Sequence, residues 1–361
     1  MELTKKLNRS MLYALVPLLM ASFFSCEAIY EDLEPCETEF RVKFRYDRNM
    51  KNADAFSSEV ESVNLWLFTP EGKLVWSGAG AGEELKTEDY AMTLPVVPGE
   101  YDMIAWCGLP QDETFALAAD NVAVREDLML SVRKKNDAAG DYMDAEMHRL
   151  YHGMQRVTLK EAEQGGWVDA TLPLTKNTNV IRVMLQHLDG SAVNKEDFDF
   201  FIEATNGVMN YDNNILGSDK FTYRGWMKST VSASFDKDND ASDREGDNSG
   251  LVRAETGNDG VQTEVNGLLA ERTVGRLMAD RRPALVVRRN TDDTDIIRIP
   301  LTDYLLMVKG NYNSHMTDQE YLDRQDDYTL TFFLDGDNKW YMGAGIYVNS
   351  WRVVPPQDTD F

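Results

Sequence analysis

The sequence predicts an all-β protein built as two β-sandwiches in series. Three observations carry that expectation. Apolar residues alternate with polar ones at period two in many short runs, turn signals recur roughly every 8–15 residues, and helix signals are few. With 361 residues the chain is long enough for one large or two ordinary domains.

The chain opens with a processing signal rather than with fold. Lys5, Lys6 and Arg9 form a basic start, Met11 to Phe24 is apolar, and small Ser25 precedes Cys26. The run has the length of a signal-peptide core and is marginal for a bilayer span, which needs about 20 apolar residues. Residues 1–25 read as a lipoprotein signal peptide, with cleavage before Cys26 and acylation of the new N-terminal cysteine. An ordinary secretion signal and an uncleaved anchor are the alternatives, because Phe23 stands where such signals usually carry Leu. One acyl chain binds a membrane marginally and two or more hold firmly. Residues 26–39 then form an acidic tether (Glu27, Glu31, Asp32, Glu34, Glu37, Glu39), either a surface-export signal or a plain solvated spacer.

Strand patterns begin at Phe40, where Phe40, Val42, Phe44 and Tyr46 alternate with Arg41, Lys43 and Arg45. Val63–Phe68 and Lys73–Trp76 flank the turn Pro70–Gly72 and predict a hairpin. Gly78 to Gly82 reads as a flexible hairpin tip. Further strands are expected at Tyr101–Trp106 and within 122–132, followed by a polar segment from Lys134 to Asp144. Composition loosens at Glu163–Gly166, which places a boundary between sandwiches at 40–165 and 166–361. In the second, strands are expected at Val168–Leu172, Thr178–Leu185, Phe198–Ala204, Ala284–Arg288, Ile296–Ile299, Tyr328–Leu334 and Ile346–Val353, with Leu268–Met278 leaning to strand. Thr317-x-x-Glu320 is a capping box for about two helical turns. Residues 233–264 are almost wholly polar and read as an acidic loop.

Charge narrows the function. Cleavage removes Glu2, Lys5, Lys6 and Arg9 and leaves 34 basic and 60 acidic residues, a formal charge of −26. Such a surface repels phosphate backbones, so nucleic acid is excluded as a partner. Cys36 and Cys107 remain after Cys26; they form either a disulfide or two separate buried thiols, and the two are too few for a zinc site. His148 and His152 would share a helix face, yet no Glu follows His148 as a zinc protease motif requires. Asp236, Asp238 and Asp240 open like a calcium loop, but Ala241 occupies the glycine position and Asp247 that of the bidentate Glu. Nothing argues for a metal, a cofactor or catalysis, and no enzyme activity is expected. Trp66 and Trp106 lie inside strand patterns and read as core.

One series of motifs has a known counterpart. After Leu33-Glu-Pro-Cys36 come Phe44-Arg-Tyr-Asp47, Val63–Phe68, Pro98-Gly-Glu-Tyr101 and Ala105-Trp-Cys-Gly-Leu109. Later in the chain follow Leu174–Asn179, Tyr211-Asp-Asn-Asn214, Arg276-Leu277, Glu320–Arg324 and Asn349-Ser-Trp351. In this order they resemble the FimB-type fimbrial anchoring subunits of Bacteroidales, along essentially the whole chain after the leader. The resemblance implies two transthyretin-like β-sandwiches, lipid-anchored in the outer membrane through Cys26 at the base of a type V fimbrium, attaching the filament and limiting its length. It implies fimbrial shaft or accessory subunits as partners, joined by β-strand complementation. No arginine-rich cleavage site stands between residues 150 and 170, although Arg149 and Arg156 lie in exposed-looking sequence. A surface lipoprotein that captures glycans and a fimbrial tip adhesin are the competing readings.

Overall fold

The alternation at Phe40–Tyr46 becomes β1 (Thr38–Arg45), with Phe40, Val42, Phe44 and the following Tyr46 buried and Arg41 and Lys43 half-exposed. A computed structural model of the chain describes residues 37–109, 114–163, 165–217, 219–234 and 264–353. Cys26, Cys36, the signal segment and most of the 233–264 loop lie outside the described residues.

The predicted hairpin forms from β2 (Ser62–Phe68) and β3 (Leu74–Ala81), paired antiparallel. There follow β4 (Met92–Leu94), β5 (Gly99–Cys107), β6 (Phe115–Leu117), β7 (Leu130–Val132), β8 (Lys135–Asp137), β9 (Gly140–Met143), β10 (Tyr151–Leu159), β11 (Gly166–Pro173) and β12 (Thr175–Lys176). A three-stranded sheet has the order β11-β1-β4 and a five-stranded sheet the order β12-β10-β5-β2-β3. On β2 and β5 the polar–apolar alternation breaks down, because both faces are covered: Trp66, Phe68, Ile104 and Trp106 on the outer face join a core that also contains Phe115 and Leu130.

The remaining strands are β13 (Thr178–His187), β14 (Phe198–Ala204), β15 (Val208–Met209), β16 (Ile215–Leu216), β17 (Phe221–Tyr223), β18 (Met227–Ser234), β19 (Glu264–Gly275), β20 (Ala284–Arg289), β21 (Thr294–Pro300), β22 (Asp327–Leu334), β23 (Ile346–Val348) and β24 (Trp351–Val353). Two six-stranded sheets run β18-β19-β13-β22-β23-β24 and β21-β20-β14-β17-β9-β8, and a four-stranded sheet runs β16-β15-β7-β6. Strands β13 and β22 pair in parallel, which requires a long crossover; most of the second half of the chain is that crossover. Three short helices occur among the described residues: α1 (Phe56–Glu59), α2 (Leu301–Met307) and α3 (Asp318–Arg324). Of the capping box only the Thr317 half forms: the Glu320 N–H donates to Thr317 Oγ1 at 3.1 Å, while the Glu320 carboxylate accepts from Arg324 Nε at 3.0 Å instead of reaching back to the cap.

Residues 37–39 and 161–168 form a small unit of their own, in which the Ala162 N–H donates to Thr38 Oγ1 at 3.0 Å and the Gly166 N–H to Glu37 O at 3.3 Å.

Five expectations need correction. Gly78–Gly82 is not a hairpin tip, because β3 runs on to Ala81; Gly78 and Gly80 leave room for the Trp76 ring and the Tyr90 hydroxyl, which a Cβ would strike. Lys134–Asp144 is a polar hairpin, β8–β9, tied down by Arg224, which pairs with Asp137 and lies 4.2 Å from the Tyr142 ring centroid. Val122–Val124 forms only an isolated bridge, Lys73 to Val124, before a turn at Arg125–Asp127. Ile346–Val353 is two strands rather than one, because Asn349 and Ser350 take positive φ (48° and 69°) and reverse the chain. His152 lies in β10, so it shares no helix face with His148.

Candidate functional site

The strand that follows the tether is held on both edges. β1 lies between β4, to which it pairs at Phe40–Leu94 and Val42–Met92, and β11. The Leu174 N–H donates to Arg45 O at 2.8 Å, and Asp169 of β11 accepts from Arg41 at 2.8 Å and Lys43 at 2.9 Å. Beyond β1, the buried Tyr46 donates its hydroxyl to Asp326 Oδ1 at 3.0 Å. Burial, with Asp326 next in weight, raises that phenol far above its ordinary range. Lys176, 8 % exposed, places its ammonium 3.3 Å from Glu59 and 3.2 Å from Asp326, and the Tyr151 hydroxyl donates to the same Glu59 at 2.9 Å. The end of β1, α1, β12 and the start of β22 are thus pinned at one cluster of charges.

At the other end of the chain, β24 is a sheet edge. The Asn349 side chain fixes its turn by accepting from the Thr329 N–H at 2.8 Å, while the Asn349 N–H donates to Thr329 O at 2.8 Å. Trp351, the first residue of β24, is 72 % exposed. An edge strand presents unpaired backbone groups to an incoming chain.

A polar cleft of about 320 Å³ opens in the same unit. Arg48, just past β1, stands on one side and donates to Thr175 Oγ1 at 3.3 Å. Asp212 and Asn214 of the β15–β16 turn form another side, and the Arg276–Asp323 pair another, with two contacts at 2.8 and 2.7 Å. His152, 4 % exposed, directs Nε2 at Tyr211 O at 2.8 Å and packs edge-on to Trp106 at 4.6 Å. Burial lowers its pKa to about 4, so the ring is neutral at pH 7.

Of the sequence-predicted residues, Cys107 is fully buried on β5, where burial pushes its thiol pKa up, while Cys26 and Cys36, its partner in the disulfide reading, lie outside the described residues. Trp66 and Trp106 are core, as expected. Arg156 sits within β10 opposite Asp102, and its guanidinium holds both Asp102 oxygens at 2.7 and 2.9 Å; Arg149 lies just before β10. No cluster of three or more His, Cys, Asp or Glu side chains able to hold a metal occurs among the described residues, and none of their helices is long and apolar enough to cross a membrane. The cleft escaped the sequence because its walls come from six separated segments, although Thr175, Asp212, Asn214, Arg276 and Asp323 all stand in the series of family motifs.

Strand-rich sheets and an exposed sheet edge suit a scaffold of the binding or assembly class. The family of fimbrillin-A associated anchor proteins Mfa1 and Mfa2 matches residues 33–355, and the chain belongs to it. Among solved structures, a candidate adhesin from Bacteroides thetaiotaomicron is 30% identical, with a TM-score of 0.73 over 90% of this chain and 99% of that one. A candidate polysaccharide-binding protein from the same organism is 26% identical, with a TM-score of 0.69 over 89% and 99%. The fimbrial anchor protein Mfa2 from Porphyromonas gingivalis shares the fold at 15% identity, with a TM-score of 0.60 over 89% and 100%. No curated protein matches. The chain is therefore a fimbria-associated protein of the anchor and adhesin class, with an all-β, sandwich-like fold and no membership in an enzyme family.

Proposed function

We propose that this chain is a lipid-anchored subunit that attaches the base of a type V fimbrium to the outer membrane and helps limit filament length. Acyl chains on Cys26 carry the attachment, and the acidic tether of residues 26–39 gives reach. The observation that carries the reading is the position of β1. As the inner strand of its sheet, paired on both sides and followed by the Tyr46–Asp326 contact, it cannot leave its place without breaking two ladders. A subunit whose first strand is fixed offers the filament no groove there, so the filament joins at another edge or at the C-terminal segment, Ile346 to Phe361, and growth in the other direction stops.

The test is Cys26→Ala in cells that make the fimbria. Release of fimbriae into the medium is expected, whereas cell-attached fimbriae of normal length would sink the proposal.

A further inference from the structure

We infer that the polar cleft beside β10 and β12 binds a neutral saccharide, one or two sugar rings at the end of a glycan. The inference does not rest on the anchoring role. At about 320 Å³ the cleft lies at the lower end of the range for small-ligand sites, roughly 300–1,000 Å³, and it is open at one side. Its chemistry is mixed and balanced. Two guanidiniums, Arg48 and Arg276, face two carboxylates, Asp212 and Asp323, so in a chain of formal charge −24 the cleft favours neither an anion nor a cation. Sugar hydroxyls each donate and accept, and they suit a wall that offers both.

The acceptor side is pre-set by burial. Tyr211 O can only accept, so His152 Nε2 carries the proton and Nδ1 is left as an acceptor. Nδ1 has no hydrogen-bond partner among the described residues, and the ring lines the cleft while 4 % exposed. The donor side is Arg48, whose one hydrogen bond is the long one to Thr175 Oγ1, and the Asn214 amide. Both side chains are exposed; Asn214 Nδ2 gives one N–H to Asp212 Oδ2 at 2.7 Å and keeps the other, so ligand can reach a donor on each. Arg276 is already spent, two nitrogens on Asp323 and Nη1 on Asn213 O at 2.6 Å, and it fixes the shape of the wall rather than recruiting an anion. Met154, 37 % exposed, and Pro173 add an apolar strip for the C–H face of a ring. The exposed Trp351 belongs to β24 and has no part in this cleft.

The test is a printed array of neutral oligosaccharides ending in galactose, glucose, mannose or N-acetylglucosamine, probed with the full mature protein and followed by calorimetric titration of the best binder. Arg48→Ala and Asn214→Ala are each expected to weaken binding about tenfold or more, the loss of a hydrogen bond to a ligand hydroxyl, with thermal unfolding unchanged. Raising salt from about 0.1 to about 0.5 M is expected to leave the affinity unchanged, as befits a neutral ligand. No binder on the array, wild-type affinity in the double variant, loss of binding at the higher salt, or loss on Trp351→Ala alone would each overturn the inference. None of these outcomes bears on whether fimbriae stay attached in the Cys26→Ala experiment.

Discussion

His152 shows how one buried side chain ties stability to pH. The ring packs edge-on to Trp106 and directs Nε2 at Tyr211 O. Desolvation is the largest cause of its lowered pKa, against an ordinary value of 6.5; the Arg276 guanidinium also lowers it, against the Asp212 carboxylate, which raises it. The unfolded chain therefore binds a proton near pH 6.5 that the folded chain refuses until about pH 4. The neutral ring's contribution is complete above pH 6.5 and falls away as pH drops to 4; at about 1.4 kcal/mol per pH unit the full loss is about 3 kcal/mol. In His152→Gln this part of the acid sensitivity is expected to vanish. Unfolding free energies from urea titrations at pH 7 and pH 4.5 check it: the drop between them should be smaller in the variant by about 2 kcal/mol, and an equal drop would refute the assignment. Carboxylates held down by guanidiniums, such as Asp292, whose pKa is lowered to about 2 beside Arg289, titrate alike in both proteins and cancel in the comparison.

At the scale of elements, the last hairpin is where structure and function meet most directly. β23 and β24 exist as two strands because Asn349 and Ser350 accept positive φ, and Asn349 locks the turn onto β22. Truncation after Trp351 removes Arg352 and the buried Val353 and unpairs β24 from β23, while leaving the turn in place. If the filament docks on this edge, the truncated protein should shed fimbriae into the medium in cells that retain it at wild-type level. Unchanged attachment would exclude the C-terminal segment and move docking to another edge. The same hairpin marks the limit of sequence reading. Period-two alternation located β1 and β14, each of which buries one clear set of apolar side chains, and short apolar runs located β2, β20 and β22, which are covered on both faces. It failed at Ile346–Val353, where apolar residues continue through a reversal set by backbone dihedrals, and at Lys134–Asp144, where Arg224 contacts supplied from 80 or so residues away hold a polar hairpin. It assigned nothing to α2, a helix of seven residues whose buried Leu301, Tyr304 and Leu305 follow Pro300 with no side-chain cap to announce them. The cleft was illegible for a related reason: His152, Asp212 and Arg276 become neighbours only through sheet pairing.

On the scale of the whole molecule, the question is whether the two sandwiches expected from the sequence unfold apart. The strands do not sort by chain half. β8 and β9 belong to a sheet with β14, β17, β20 and β21, and β6 and β7 share a sheet with β15 and β16. β12 pairs back onto β10 at Tyr151–Lys176 and His152–Thr175. One apolar core contains Trp66, Ile104 and Trp106 together with Ile202, Leu285, Phe332 and Val348, and the Lys176 cluster adds charge contacts among α1, β12 and the start of β22. Burying a large apolar side chain is worth about 1.5–3 kcal/mol, so a core shared by this many residues couples the halves far more strongly than the few kcal/mol that would let them melt independently. A single calorimetric transition is therefore expected for residues 40–353, with van't Hoff and calorimetric enthalpies equal. Two resolved transitions would show that the halves are separable. The C-terminal hairpin belongs to that same core through Ile346, Val348 and Val353, so it is expected to melt in the same transition rather than before it.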